Sequence, residues 1–147
     1  MNVEIRRATV EDANIIAPLF EEYRVWYHQV PDADAALNFI TERLQFNESV
    51  IFIAFINDEA VGFTQLYPIF TSVGMKRTFL LNDLFVKESA RGKHVGKALL
   101  NAAKKHGKSL NCKWLMLQTS NDNYRAQALY EKDGWIKESD FFYSVLL

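Results

Sequence analysis

Cysteine is almost missing from this chain. Cys112 is the only one in 147 residues, so no internal disulfide can form, and a reducing compartment fits best. Histidine is scarce as well: His28, His94 and His106 have no metal-ligand spacing, and neither His-Glu-x-x-His nor a paired-cysteine motif occurs. No metal is therefore expected. No apolar run approaches the roughly 20 residues of a membrane span. Met1–Thr9 alternates charged and apolar side chains and lacks the apolar centre of a signal peptide. These absences make the chain cytoplasmic by expectation, with no membrane partner. An excess of one charge is also lacking. The 17 basic and 18 acidic residues leave a net charge of −1, which removes the electrostatic ground for nucleic-acid binding. Linkers, repeats and low-complexity stretches are absent, so residues 1–147 are expected to form a single domain.

Apolar residues, by contrast, are abundant. They make up 49% of the chain, and 14% of it is aromatic, enough for one core without a metal or disulfide staple. Val3–Ala8 alternates with period two and reads as a strand. Thr9, followed by Glu11 and Asp12, starts a helix whose apolar positions continue to about His28. Asp32 or Asp34 caps a second helix ending near Asn47. Ser49–Ile56 is too short for a helix and rich in β-branched residues, as a buried strand should be. Asn57-Asp58-Glu59 turns the chain into a second hairpin arm, Ala60–Phe70, and a polar loop, Thr71–Arg77, leads to a strand over Thr78–Val86. A helix from Val95 to about Ser109, a strand over Trp114–Thr119, a helix over Asp122–Lys132 and a closing strand or pair in Trp135–Leu147 complete the expectation. The order describes a mixed α/β domain with hairpins early and crossovers late.

The most informative stretch follows the strand at Thr78–Val86. Arg91-Gly92-Lys93-His94-Val95-Gly96-Lys97 is a basic, glycine-bearing turn that opens a helix. A helix start presents unpaired N–H groups and about half a positive charge, so it suits an anion. Three residues lie between the two glycines, and Ala98 follows Lys97. A P-loop needs four residues between its glycines and a Ser or Thr after the lysine, so nucleotide hydrolysis is excluded. The dinucleotide fingerprint Gly-x-Gly-x-x-Gly is absent too.

This turn resembles the coenzyme A motif of the GNAT superfamily of N-acetyltransferases, Arg/Gln-x-x-Gly-x-Gly/Ala. Arg91 matches its first position and Gly96 its last, while His94 stands where the family usually has its first glycine. Gly62-Phe63 resembles a glycine-bearing strand of that family. Asn123, Ala126, Leu129 and Tyr130, followed by Glu131-Lys132-Asp133-Gly134-Trp135, resemble its late motif. Tyr67-Pro68 and Leu81-Asn82-Asp83-Leu84 are similar to the branch of diamine and polyamine acetyltransferases.

The resemblance implies a mostly antiparallel sheet with a splayed parallel strand pair, flanked by about four helices, in a chain that forms a homodimer. It implies acetyl-CoA as cosubstrate and a small-molecule or protein amine as acceptor. The backbone of Leu84, Phe85 and Val86 would meet the pantetheine arm, and Arg91, Gly92, Lys93, His94, Val95, Gly96 and Lys97 the pyrophosphate. Asn123 and Ala126 would stand beside the cofactor, and Tyr130 would serve the leaving sulfur. Tyr23, Tyr27, Asn82 and Asp83 are the candidates for the acceptor site. Asn82 occupies the place of a glutamate common in the polyamine branch, and an amide cannot act as a base. Asp83 is next to it, although strand alternation sends neighbours to opposite faces unless the strand bulges. Glu21, Glu22, His28 and a water chain are the other routes for the proton. The competing reading is a coenzyme A-binding regulatory or interaction domain without the chemistry, which His94 and Asn82 favour.

Overall fold

A computed structural model of the chain describes residues 2–147. Five strands form one sheet in the order β1-β2-β3-β4-β5. They are β1 (Glu4–Arg7), β2 (Val50–Ile56), β3 (Glu59–Thr71), β4 (Lys76–Val86) and β5 (Leu115–Leu117). The first four run antiparallel to their neighbours, and β4 and β5 are parallel. Four α-helices accompany them: α1 (Ala13–Trp26), α2 (Ala33–Gln45), α3 (Val95–Ser109) and α4 (Tyr124–Lys132).

The unbroken apolar run of β2 is explained by two cores. Ile51 and Ile53 join Ile16, Leu19, Phe20 and Ile40 of α1 and α2 on one face of the sheet. Val50, Phe52, Ala54 and Ile56 face the other way, toward Val95, Leu99, Leu100 and Ala103 of α3. A strand covered on both faces has no need of a polar side. Period 3.6 in α3 places those four residues on one buried stripe while its lysines stay outside. Asp32 caps α2, its Oδ1 accepting the Ala35 N–H at 3.1 Å. Thr9 precedes a single 3-10 turn, Val10–Asp12, which leads into α1.

Several expected boundaries move. The first helix ends at Trp26 rather than His28, and the polar loop after β3 shrinks because β3 reaches Thr71 and β4 begins at Lys76. The strand expected over Trp114–Thr119 is reduced to Leu115–Leu117, since β5 has a neighbour on one side alone. The largest correction concerns Trp135–Leu147, which carries a strand's sequence and yet forms no strand. A strand exists only where a ladder receives its N–H and C=O groups, and in the single chain this segment finds none.

One close approach locks β3 to β4. A Cβ built on Gly62 would lie 2.6 Å from the Phe85 carbonyl oxygen, so only glycine fits opposite Val86, its cross-strand partner. Gly62→Ala is expected to lower stability by about 1–3 kcal/mol, the usual cost of overpacking. Urea unfolding of the variant beside the parent measures it, and equal midpoints would mean that the strands part without cost.

Candidate active site

The β4–β5 ladder is short. Phe79 pairs with Leu115, Leu80 with Met116 and Leu81 with Leu117, and there the pairing stops while β4 continues to Val86. Beyond Leu81 the two strands part and leave backbone groups of β4 without a parallel neighbour. A cleft of about 240 Å³ opens at that point, lined by Tyr23, Tyr27, Leu80, Leu81, Asn82, Gln118, Thr119 and Ser120. A larger cleft of about 420 Å³ lies elsewhere, among residues such as Arg7, Thr9, Leu44 and Ser49. It contains none of the candidate site residues named from the sequence, so the smaller cleft is the better candidate.

The parting coincides with a bulge. Gln65 pairs with Asp83 and its neighbour Leu66 with Leu81, so Asn82 is the extra residue in β4. An extra residue shifts the alternation of side chains by one. Phe79 and Leu81 before it, and Leu84 and Val86 after it, all pack on the α3 side, while Phe85 joins the α1 side. Asn82 and Asp83 thus share the α1 side, which regular alternation would forbid. Asn82 lines the cleft and donates from Nδ2 to Asp83 Oδ1 at 3.1 Å.

Asp83 is 4% exposed. Its Oδ2 accepts a 2.6 Å hydrogen bond from Gln65 Nε2, and Gln65 Oε1 in turn accepts from the Ser49 hydroxyl at 2.8 Å. Burial holds the Asp83 carboxyl above its ordinary range, against the opposing hydrogen bonds from Gln65, Asn82 and Tyr23. Among the described residues, no cation pairs with it. Tyr23 and Tyr67 feel the carboxylate as well. Burial first and Asp83 second raise both phenols, Tyr67 to about 12. Among the other base candidates, Glu21 is spent on structure: Oε1 pairs with Arg24 at 2.5 Å and Oε2 accepts the Asp32 N–H at 2.7 Å. Neither Glu22 nor His28 lines the cleft.

The basic turn leads from β4 into α3. Gly92 has φ +77°, and nothing lies within 4 Å of where its Cβ would be. His94 adopts the left-handed conformation at φ 63°, the backbone state a glycine would take, and its ring is exposed. No side chain caps α3, so the first N–H groups of the helix keep no side-chain partner. An open cradle at an uncapped helix start, with Lys93 and Lys97 exposed on it, fits a pyrophosphate. Arg91 is turned back to the strand, donating from Nε to the Val86 carbonyl at 3.1 Å. Val95 is buried in the core and offers only its backbone. The missing Cβ of Gly96 would meet Leu129 Cδ2 at 3.3 Å, so this glycine brings α3 against α4.

On α4, Asn123 is the N-cap: its Oδ1 accepts the Ala126 N–H at 3.2 Å, which occupies that amide. Leu129 and Tyr130 pack against the α3-side core. Burial pushes the Tyr130 phenol up to about 12, with nearby Tyr27 adding to it. Such a phenol stays protonated at neutral pH and is a hydrogen-bond donor rather than a strong acid. Tyr27 also meets Tyr23, their ring centroids 5.0 Å apart, and so stands between the α4 phenol and the Asp83 neighbourhood.

The sequence over residues 14–135 matches the acetyltransferase (GNAT) family. The chain belongs to this family. It is 47% identical to the uncharacterized N-acetyltransferase YhfO of Bacillus subtilis, over 98% of this chain and 97% of that protein. A probable acetyltransferase of Haemophilus influenzae is 31% identical over 90% of each chain. The crystal structure of a probable acetyltransferase superposes with a TM-score of 0.92 at 36% identity, covering 98% of this chain and 97% of that one. The protein is thus an acyltransferase of a family that uses acetyl-CoA.

For this GNAT chain, sequence reasoning missed Gln65 and Ser49, which hold Asp83, and Leu80 and Gln118–Ser120, which wall the cleft. A glutamine inside an otherwise apolar strand was the one available signal for the first pair. The pH dependence of Asp83 has a definite sign. At the lowest pH both folded and unfolded chains keep the proton. Between the ordinary carboxylate value and the raised folded one, only the unfolded chain has lost it, so stability falls as pH rises. Asp83→Asn is therefore expected to melt higher than the parent at pH 7 and to lose that advantage near pH 3. Thermal melts across that range decide it, and a variant less stable at every pH would contradict an uncompensated buried carboxylate.

Proposed function

We propose that the protein transfers the acetyl group of acetyl-CoA to a primary amine by direct attack in the cleft between β4 and β5, and that it works as a homodimer. The observation that carries the reading is Asp83: a buried carboxylate beside the cleft, held by neutral donors and lacking a cation. An aliphatic ammonium, with an ordinary pKa near 10.4, would supply the missing charge and must then lose a proton. Raised affinity for a proton suits Asp83 to take it, with Tyr23 and Asn82 orienting the carboxyl. The lone Cys112, its thiol raised by burial, is no rival nucleophile and suits a reducing cytoplasm. Among the described residues, no helix is long and apolar enough to cross a membrane.

Acetyl-CoA supplies the thioester. The uncapped start of α3, with Gly92, Lys93, His94 and Lys97, would hold its pyrophosphate, and the unpaired backbone of Leu84–Val86 would bond its amides. Tyr130 would donate a hydrogen bond to the departing sulfur, since a phenol is protonated at neutral pH and burial reinforces this. The acceptor is a small-molecule or protein amine. Thiol release from acetyl-CoA across a panel of diamines, amino acids, aminoglycosides and peptide amines tests the reading. Tight coenzyme A binding with no thiol release for any amine would make the chain a binding domain instead.

Two variants probe the separate roles. Tyr130→Phe removes one hydroxyl from a packed ring, so coenzyme A affinity by calorimetry should barely change while turnover falls about 10²–10³-fold. Turnover at the parental rate would take the hydroxyl out of the reaction. His94→Gly keeps the left-handed backbone without the ring, and coenzyme A affinity should stay within about tenfold, or ~1.4 kcal/mol. Loss of binding would instead make the imidazole a ligand.

A further inference from the structure

Asp83 is one end of a buried row that crosses the sheet. Ile51 of β2 pairs with Gln65 of β3, and Gln65 pairs with Asp83 of β4. Residues opposite one another in a ladder show their side chains on the same face, here the α1 side to which Ile51 belongs. Ser49, just before β2, reaches into this row. Its hydroxyl donates to Gln65 Oε1 at 2.8 Å, and Gln65 Nε2 donates to Asp83 Oδ2 at 2.6 Å. Gln65 is fully buried, and Ser49 and Asp83 are nearly so. Around them the face is made of Ile51, Ile53, Phe63 and Phe85, which offer no polar side-chain atoms. A glutamine in such a layer is costly unless its amide groups are used.

The order of donors has one direction. An ionised carboxylate has only acceptors, so the NH2 end of Gln65 must face it and the amide oxygen must face away. That oxygen then needs a donor, and among the described residues Ser49 is its only hydrogen-bond partner. Each group in the series points its positive end toward Asp83. Hydrogen bonds aligned in this way polarise one another, so the Ser49 hydroxyl strengthens the bond that Gln65 gives to the carboxylate. Such bonds stabilise the ionised form and oppose the effect of burial, as those from Asn82 and Tyr23 do. Gln65 also fixes which oxygen is free for chemistry. It occupies Oδ2, and Oδ1 lies on the side of Asn82, a residue of the cleft wall.

We infer that Gln65 and Ser49 are positioning residues of the transfer reaction: in series they keep Asp83 ionised and turn its Oδ1 toward the acceptor amine, although Ser49 touches neither. The inference rests on the reading of Asp83 as the base. In that step an N–H bond of the ammonium breaks and an O–H bond forms at Oδ1. The nitrogen keeps the electron pair with which it attacks the thioester, and water later takes the proton. Burial by itself favours the protonated carboxyl, which cannot serve as a base. Neutral donors offset it without a cation that would repel the ammonium. The other groups facing Asp83 leave this balance to the series. Tyr23 of α1 and Tyr67 of β3 are the titratable neighbours, and burial raises both phenols, so they stay neutral. Arg43 of α2 reaches Tyr67 but pairs with Glu42 and Glu48. Across the cleft, Gln118, Thr119 and Ser120 do not titrate.

Carbon-13 NMR titration of the aspartate carboxyls in the full chain tests the series without a substrate, the Asp83 signal being assigned by its loss in Asp83→Asn. Gln65→Met fills similar space without a donor, and its Asp83 carboxyl should titrate at higher pH than the parent's. Ser49→Ala should move it the same way by less, and Ser49→Thr, which keeps the hydroxyl, should return it. In the Gln65→Met background Ser49→Ala should add nothing. The acid limb of kcat/KM, measured by thiol release with the most active amine of the panel, should move with the carboxyl in each variant. On that limb Gln65→Met should lose about tenfold, the worth of one hydrogen bond to a charged group. A carboxyl that titrates alike in the parent and Ser49→Ala, or a Ser49→Ala shift that persists in full without Gln65, would overturn the series. The Ser49 variants decide this even where Gln65→Met does not fold. A limb that stays fixed while the carboxyl moves, or that survives Asp83→Asn, would overturn the positioning role at its other end, by removing Asp83 from proton transfer.

Discussion

One extra residue in β4 governs this molecule. A regular strand of eleven residues would stay paired along both edges, and its side chains would alternate faces throughout. Asn82 breaks that regularity. Leu81 remains in register with β3 and β5, whereas Asp83 resumes pairing with β3 alone. The sheet opens on the β5 side, and two polar neighbours turn to the same face. The β4–β5 pairing ends where the bulge begins, and without the bulge Asn82 and Asp83 would lie on opposite faces of the sheet.

The surroundings of Asp83 follow from the same shift. A carboxylate sent to the α1 side of a sheet enters a layer of Phe20, Phe63 and Phe85, where an unsolvated charge costs several kcal/mol. Gln65 and Ser49 supply donors in series, and the aromatic α1 stripe provides a hydroxyl from Tyr23. These neutral groups moderate the cost without cancelling it, so the proton affinity of Asp83 stays raised. The burial cost is relieved by a cation or a proton. Tyr130, on the far side of Tyr27, has its phenol raised for the same reason. Burial thus raises the proton affinity of a carboxyl at one end of the aromatic row and of a phenol at the other.

The turn at Arg91–Lys97 depends on backbone geometry more than on charge. His94 holds a left-handed conformation that L residues adopt at some cost, and the return is a helix that starts without a side-chain cap. Arg91 contributes by tying the turn to Val86 rather than by facing outward. Gly96 contributes by admitting Leu129, which seats the helix of Tyr130. Charge, strand, turn and phenol are therefore held by a few contacts around α3.

Local pattern was enough for much of this. Period two in Val3–Ala8, the two-faced apolar run of β2, the stripe of α3 and the glycine-bearing basic turn all report short-range constraints. They are legible because each depends on residues within one or two turns or strands of itself. The mixed α/β class and the helix order were open to reading in the same way, whereas the place of Tyr130 in a motif rested on the resemblance to the GNAT family. Tertiary structure alone decided what depended on partners far away in sequence. Whether Asp83 joins Asn82 on one face depends on a ladder with Gln65, eighteen residues back. The length of β5 and the absence of a strand after Trp135 depend on which edges find a neighbour. A sequence states a residue's preference for a strand, but a strand is made by two segments of backbone, and the second is named nowhere in the first.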